Sequence, residues 1–367
     1  MNAAAAQDSP DVLPPFEGAV PPGERLAAQS GPLARAASVL AGRFGRGGMA
    51  LTYGIDAGVP TARGIAAGFA RPGAPGRRAL PALALDPAYG DIARQVRRLA
   101  NPCDVMIAVV PSTPTNGTAA PLNAAAVLGL PIIALTASGA GYVGDVTDHV
   151  IASSSASPLL TAEFHTFTHD VLEHLVHLAL VHRPPVGLGP AAVPDARLVE
   201  AARVRAAELA ASRAGLLRPY ERRLSACATV LARALTRGSR LFVVDDGDDR
   251  YAETVARAFA APSHSGAAPL PVLSPHGGAS EPGDVTLALF TGDDTAEMVS
   301  ILAAARWKSQ LTLAFTGPAG QNLRRGDLAD HVLVVPDGPS RRVRETHLTW
   351  SSALWEFTHR ALRRPPR

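Results

Sequence analysis

Apolar runs of strand length recur along the chain, and sequence of helical length follows each of them. One such run, VMIAVV at residues 105–110, leads into a polar loop and then into an Ala- and Leu-rich segment that ends at a second apolar run, residues 131–136. This order predicts a β–loop–α–β unit, which is typical of a parallel sheet. In such a sheet the loop lies at the C-terminal end of its strand, where ligands bind.

The same plan recurs in the second half of the chain. Residues 282–316 repeat the order of residues 102–136, so that Asp104 corresponds to Asp284. The short helix predicted over residues 91–99 is the part of the first half that has no counterpart in the second. The pattern therefore predicts a tandem repeat of one α/β domain.

Composition sets the limits of the two domains. Residues 1–23 are rich in Pro, Ala and Gly and have little to bury, which predicts a disordered arm. We place the first domain at residues 24–182, a Pro-rich linker at 183–196 and the second domain at 197–360, before a basic tail at 361–367. A chain of 367 residues has room for two domains of ordinary size, each with its own core.

Charge and hydropathy narrow the class of protein. The net charge of +3 is small, and the arginines are scattered instead of forming a stripe interleaved with aromatic residues, so we expect no nucleic-acid partner. No uncharged run approaches the ~20 residues of a membrane span, and the N-terminus lacks the features of a signal peptide. We therefore expect a cytoplasmic protein with no membrane partner.

The loop after the first central strand carries side chains that suit an anion. Its polar residues are Ser112, Thr113, Thr115, Asn116 and Thr118. Hydroxyl groups and free backbone N–H groups at the start of a helix bind phosphate or another small anion. An earlier turn, which contains Gly54 and Asp56, follows the predicted strand MALTYG and is typical of the first ligand loop in a nucleotide- or phosphosugar-binding sheet. Such strand–glycine–helix junctions also arise from packing alone.

These motifs resemble the sugar isomerase (SIS) domain, and within that family they are most similar to the phosphoheptose (sedoheptulose 7-phosphate) isomerases. The first copy shows the resemblance in GRGGMALTYG, RALPALAL, ARQVRRLANPCDV, PSTPTN and TDHVI, and the second in PGDV, TGDDTAEMV, LAFTGPAG and LADHVLVVP. The resemblance implies two flavodoxin-like three-layer αβα sandwiches with parallel sheets, arranged as an intrachain pseudo-dimer.

The same resemblance implies a sugar phosphate as the ligand. The residues that it places at the ligand are Gly54, Asp56, Ser112, Thr113, Thr115, Asn116 and Thr118. In the second copy the corresponding run becomes residues 290–295, where two carboxylates, Asp293 and Asp294, would repel a phosphate. The resemblance implies no organic cofactor, and it leaves a metal ion, a homo-oligomer and a protein partner as open alternatives.

Isomerisation of an aldose to a ketose needs a base that moves a proton between adjacent carbons and an acid or metal that polarises the enediolate. At the positions that carry these groups in active phosphoheptose isomerases, the chain has Arg63, Gly64, Gly68, Ala162 and Asp170 in the first copy, and Val255, Phe259, Arg344 and Ser352 in the second. Neither copy carries the catalytic set. We therefore favour phosphosugar binding without isomerase chemistry, in a sensor, a regulator or an assembly factor.

The main alternative is an active sugar-phosphate isomerase that uses replacement groups. Its candidate acids are Asp56, Glu163 and Asp170, together with the histidines of the closing helix, His165, His169 and His177, of which the resemblance keeps His165. A third alternative is a purely structural dimerising role without a ligand.

Two groups of side chains also suggest a metal ion. The first comprises His165, His169, Glu173 and His177, which recur every four residues along one helical face. Because that face climbs ~6 Å per step, only two neighbours reach one ion, so the candidate ligands are His165 and His169. We favour a solvated or dimer-facing polar stripe instead. The second group comprises Asp245, Asp246, Asp248 and Asp249, for which we favour a charged turn over a cation loop.

Overall fold

The computed structural model describes most of the chain. The described residues are 22–55, 58–72, 76–110, 116–137, 141–153, 155, 157–181, 195–246, 251–260, 269–274, 279–292, 295–324, 328–336 and 340–363. They divide into two units, of which the first ends at Ser212 and the second begins at Arg213. This division falls inside a helix, beyond the Pro-rich segment 183–196, and the domain limits given above stay a prediction. None of the described helices is long and apolar enough to cross a lipid bilayer.

The first unit alternates strands with helices. Its described elements are α1 (Pro22–Ala28), α2 (Ser30–Gly45), β1 (Ala50–Gly54), α3 (Gly58–Ala70), β2 (Ala82–Ala84), a 3-10 turn (Pro87–Tyr89), α4 (Ile92–Leu99), β3 (Val105–Val110), α5 (Asn116–Val127), β4 (Ile132–Thr136), α6 (Gly141–Asp145), β5 (His149–Ala152), α7 (Pro158–Val181) and most of α8 (Ala196–Leu217). The described strands form a parallel sheet in the order β2-β1-β3-β4-β5.

The second unit follows the same plan. Its described elements are the end of α8, α9 (Glu221–Thr236), β6 (Leu241–Asp245), α10 (Tyr251–Ala260), β7 (Val272–Leu273), β8 (Val285–Phe290), α11 (Thr295–Trp307), β9 (Leu311–Thr316), a 3-10 segment (Pro318–Arg324), β10 (His331–Val334) and α12 (Ser340–Leu362). These strands form a parallel sheet in the order β7-β6-β8-β9-β10, which matches the first unit strand for strand. The prediction of two α/β domains with parallel sheets is confirmed.

The continuous apolar run of β3 reflects burial on both faces of the sheet. Every residue of β3 is buried. Its alternate residues Val105, Ile107 and Val109 pack with the helices α2, α3 and α7, whereas the residues between them pack with α4 and α5. A strand covered by helices on both faces has no polar side to show, which is why its sequence lacks alternation. The first unit therefore has three layers, with helices packed on both faces of the sheet.

A buried aspartate recurs at the start of the central strand in each unit. Asp104 accepts a hydrogen bond from the backbone N–H of Met49 at 2.8 Å, and Asp284 accepts one from that of Arg240 at 3.0 Å. Each carboxylate also accepts the backbone N–H of the residue three positions before it, at 2.8 Å. The motif shared by the two halves, PCDV and PGDV, thus fastens neighbouring strands at the edge of the sheet opposite to the predicted ligand loops.

Candidate functional site

The C-terminal edge of the first sheet is where the sequence predicts the ligand. Strand β1 ends there at Gly54, and β3 ends at Val110, which pairs with Thr136, the last residue of β4. Helix α5 begins at Asn116, so the hydroxyl-rich segment connects the end of a central strand to the start of a helix. Four of the predicted ligand residues lie outside the described residues, and so does the side chain of Asn116; the four are Asp56, Ser112, Thr113 and Thr115.

Gly54 is required by the turn that joins β1 to α3. A Cβ atom at this position would lie 2.1 Å from the carbonyl oxygen of Gly58 and 2.5 Å from the backbone nitrogen of Val59. The backbone N–H of Gly58 donates to the carbonyl oxygen of Ile55 at 2.7 Å and closes the turn. The glycine of the first predicted ligand loop therefore lets the start of α3 approach the end of β1 closely.

We expect Gly54→Ala to lower the free energy of unfolding by about 1–3 kcal/mol, because backbone atoms that cannot rotate away must shift to admit the methyl group. The matched control is Gly64→Ala in the middle of α3, where a Cβ would meet nothing within 4 Å. That substitution should stabilise the chain by about 0.5–1 kcal/mol, since alanine is the better helix former. Denaturant unfolding followed by circular dichroism measures both; equal effects of the two variants would contradict the tight turn.

Thr118 contributes to this edge through its backbone. The hydroxyl of Tyr53 donates to the carbonyl oxygen of Thr118 at 3.2 Å and so joins β1 to the first turn of α5. Both residues are buried. Burial also raises the pKa of Tyr53, so that its phenol stays protonated and able to donate at neutral pH. The hydrogen bond fixes the first turn of α5 against β1.

His165, a candidate for both catalysis and metal binding, is part of the fold. Its side chain is fully buried on α7, and its Nε2 donates to the carbonyl oxygen of Thr136 at 3.2 Å. Burial lowers the pKa of His165 to about 4, although the hydrogen bond to Thr136 opposes this shift. At neutral pH the ring is therefore a neutral imidazole that ties the closing helix to the end of β4.

Asp170, the second catalytic candidate, forms an ion pair. Its carboxylate lies 2.7 Å from a guanidinium nitrogen of Arg205 on α8, and both side chains are largely shielded from solvent. Arg205 also bonds Glu208 at 2.8 Å, and it lines a surface groove between α7 and α8 together with His174. The carboxylate of Asp170 is therefore already paired with a guanidinium group on the neighbouring helix α8.

The interpretation of the α7 stripe as solvated is wrong, because most of it is buried. His169 lies edge-on to the ring of Phe69, with ring centroids 5.2 Å apart, and Glu173 pairs with Arg77 at 2.8 Å. His177 is partly buried, and its ring nitrogens approach two backbone carbonyl oxygens. Within the described ranges, no group of three or more His, Cys, Asp or Glu side chains is arranged to hold a metal ion.

Arg63 lies on α3, at a position where the resemblance implies a catalytic group. Its guanidinium forms an ion pair with Asp86, which lies just beyond the end of β2 and is mostly buried. The carboxylate of Asp86 also accepts the backbone N–H of Ala88 at 2.9 Å. The pair places a positive and a negative charge together at the C-terminal edge of the sheet.

In the second unit the loop after the central strand begins one residue later than the sequence comparison suggests. Phe290 is the last residue of β8, is fully buried and pairs with Thr316, in the way that Val110 ends β3 and pairs with Thr136. Because its ring fills the core, Phe290 belongs to the strand, and the loop starts at Thr291. Asp293 and Asp294 lie outside the described residues.

The first two acidic residues after β6 bind backbone donors. Asp245 accepts the backbone N–H of Ala252 at 2.6 Å, at the start of α10, and Asp246 accepts that of Gly292 at 2.6 Å. The interpretation as a charged turn therefore needs a correction for these two residues, whose carboxylates fasten a helix and a loop. Asp248 and Asp249 lie outside the described residues.

Comparison with known proteins agrees with this geometry. No protein-family model matches the chain. A segment is 33% identical over 84 residues to a phosphoheptose isomerase of Roseiflexus sp. (strain RS-1) and covers 22% of this chain and 40% of that protein. A segment is 36% identical over 81 residues to a phosphoheptose isomerase of Chlorobium limicola (strain DSM 245 / NBRC 103803 / 6330), covering 22% and 37%. The chain thus matches less than half the length of these curated relatives.

Solved structures match the chain over nearly its whole length. A suspected sugar binding protein from Salmonella typhimurium LT2 covers 92% of this chain and 98% of its own at 12% identity, with a TM-score of 0.57. The C-terminal domain of glucosamine-fructose-6-phosphate aminotransferase from Francisella tularensis covers 95% and 98% at 11% identity, with a TM-score of 0.52. Both units have the SIS fold. The resemblance to the SIS domain family is confirmed.

Three contacts of the first SIS unit were missed by sequence reasoning. They are the ion pair of Arg63 with Asp86, that of Asp170 with Arg205, and the hydrogen bond from Tyr53 to Thr118. The sequence could have indicated the location of Asp86, because a carboxylate directly after a predicted strand lies at the C-terminal edge of a parallel sheet. The sequence gives no indication that Arg205 contacts Asp170, since Arg205 follows the Pro-rich segment and only packing brings it to α7.

Proposed function

We propose that this chain binds a phosphosugar at the C-terminal edge of its first sheet and lacks the isomerase chemistry of the phosphoheptose isomerases. The observation that carries the binding proposal is the position of the hydroxyl-rich segment: it follows the last residue of a central strand, Val110, and precedes the first residue of a helix, Asn116. Anionic groups bind at that position because the backbone N–H groups of the first helical turn have no partner inside the helix.

The contacts of two candidate catalytic residues support the proposal that the chain lacks isomerase chemistry. His165 is a buried, neutral donor to a backbone carbonyl, and Asp170 is paired with Arg205. A general base must reach the proton that it removes, and each of these groups is directed to a partner within the fold. Ligand binding without turnover suits a sensor, a regulator or an assembly factor, and sedoheptulose 7-phosphate is the first ligand to test.

A thermal-shift screen of sugar phosphates tests the binding proposal. A ligand that binds only the folded chain raises its midpoint of unfolding, by an amount that grows with ligand concentration. We expect a shift with sedoheptulose 7-phosphate or another sugar phosphate, and none with the matching unphosphorylated sugar. Equal responses to the phosphorylated and unphosphorylated sugars, or no response to any sugar phosphate, would contradict a phosphate-binding loop.

Substitutions in the two loops locate the site. Thr113→Asp should abolish sugar-phosphate binding, because it replaces a hydroxyl donor with a charge that repels the phosphate. Thr113→Val should weaken binding about tenfold to a hundredfold, the value of one hydrogen bond to a charged group. The control is Thr291→Val, which removes a hydroxyl from the loop of the second unit. Binding that survives Thr113→Asp and is lost in Thr291→Val would assign the ligand to the second unit.

A further inference from the structure

The loop after β8 in the second unit already holds an anionic group, a carboxylate of the same unit. The hydroxyl of Thr291 donates to Oδ1 of Asp246 at 3.2 Å, and the backbone N–H of Gly292 donates to Oδ2 at 2.6 Å. A Cβ atom on Gly292 would lie 3.2 Å from Oδ2, which is tighter than ordinary van der Waals contact. One carboxylate therefore uses both of its oxygens on two consecutive residues of the loop.

The position of this carboxylate follows from the register of the sheet. Strand β6 lies beside β8 and ends at Asp245, which pairs with Leu289. Asp246 therefore leaves the sheet at its C-terminal edge, next to the loop that leads into α11. A hydroxyl and a backbone N–H that converge ahead of a helix are the donors by which such loops hold phosphate or carboxylate ligands.

The first unit has no carboxylate at the corresponding place. Its strand β1 ends at Gly54, which pairs with Val109, so the residue that corresponds to Asp246 is Ile55. The backbone N–H of Ile55 bonds the carbonyl oxygen of Val109 at 3.2 Å, and the side chain is partly buried against the apolar cluster on one face of the sheet. An aliphatic side chain cannot accept hydrogen bonds from the loop donors.

We infer that Asp246 is a built-in anion of the second unit: its carboxylate occupies the donors of the loop after β8 that a bound anion would use. The second unit thereby keeps the architecture of a ligand loop and fills it from its own chain. The two SIS units differ at this position, because the first has the aliphatic Ile55 where the second has the carboxylate of Asp246. This inference stands on the contacts of the second unit and does not depend on phosphosugar binding by the first.

Chemical rescue of Asp246→Ala tests the inference on the full chain. Acetate is the probe, since it supplies a carboxylate with a single charge, and sodium chloride at the same ionic strength is the reference. All three tryptophans of the sequence belong to the second unit, so tryptophan fluorescence follows its unfolding; they are Trp307, Trp350 and Trp355. We expect Asp246→Ala to lower the midpoint of thermal unfolding, and acetate to restore about 2–4 °C more than chloride does, with no such difference for the wild type.

Two matched variants sharpen the result. Asp246→Asn keeps the side chain in place, so it should lose stability without any specific response to acetate. Adding Thr291→Val to Asp246→Ala removes one of the two donors and should reduce the rescue. If acetate and chloride change the unfolding midpoint of Asp246→Ala equally, the inference is overturned. Asp246 would then only hold the loop in place through its hydrogen bonds. If this variant does not fold in chloride, recovery of folded protein by refolding in acetate supports the inference, and failure in both salts contradicts it.

Discussion

Purified protein is expected to leave sedoheptulose 7-phosphate unconverted, whether zinc or magnesium is added or metal ions are removed by a chelator. A positioned acid or base typically supplies a factor of about 10²–10⁴ in rate, and several such positions are replaced at once. Gly64 and Gly68 have no side chain to titrate, and Ala162 cannot supply an amide to a metal ion. Asp170 could act as a base, but it is bonded to Arg205.

The measurement is a product assay by nuclear magnetic resonance, run beside an active phosphoheptose isomerase as the positive control. Conversion above background that requires a metal ion and is lost in His165→Ala or His169→Ala would favour the alternative of an active isomerase. Conversion without added metal that is lost in Glu163→Gln or Asp170→Asn would identify a replacement base. Because binding is tested separately by thermal shift, absence of both binding and turnover would contradict the binding proposal alone.

The second large effect concerns stability in acid. The free energy of unfolding should rise with pH between about 4 and 6.5, because two buried histidines carry no proton in the folded chain over that range. Burial lowers the pKa of His165 and that of His347, its counterpart on α12, to about 4. The hydrogen bond of His165 to the carbonyl oxygen of Thr136 opposes the shift at that residue. The unfolded chain takes up protons at the ordinary pKa of about 6.5, so acid favours unfolding.

Each of these histidines should contribute a slope of about 1.4 kcal/mol per pH unit across that window, and nothing further above pH ~6.5. Burial also lowers the pKa of the half-buried His149 and His331, which add to the slope in the same direction. Urea unfolding at a series of pH values measures the slope, with tryptophan fluorescence for the second unit and circular dichroism for the whole chain.

Glutamine is the matched substitution for this test, since its amide does not titrate and, at position 165, its nitrogen can replace the Nε2 donor to Thr136. His347→Gln should flatten the slope of the tryptophan transition, whereas His165→Gln should leave that transition unchanged and flatten the slope seen by circular dichroism. A stability that does not change between pH 4 and 6.5 in the wild type would show that the two rings are accessible to protons in the folded chain.

The secondary structure was accessible from the sequence because its signals are local. The run at 105–110 forms β3 over the predicted residues. Burial on both faces requires an uninterrupted apolar strand, and the repeat of such a strand in the second half predicts a second α/β domain. The sequence also predicts at which edge of the sheet a ligand would bind, since loops after parallel strands must lie at one edge.

The roles of the polar side chains were decided only by the tertiary structure. The four-residue spacing on α7 places His165 and His169 on one face, but it does not tell whether that face meets solvent, a metal ion or the core. In the folded chain this face of α7 is buried, and His165 donates a hydrogen bond to the carbonyl oxygen of Thr136. In the same way a run of aspartates predicts only a high local charge, until the pairing of β6 with β8 directs Asp246 to Gly292.

The sequence by itself therefore determined the two α/β units with parallel sheets, because periodicity and burial are properties of neighbouring residues. Only the tertiary structure decided which polar groups are committed to the fold. Arg205 reaches Asp170 across the Pro-rich segment, and Asp246 reaches the loop after β8 across α10 and β7. Such partners are set by the packing of elements distant in sequence, and a charge or a hydroxyl carries no local signal of the group that it will meet.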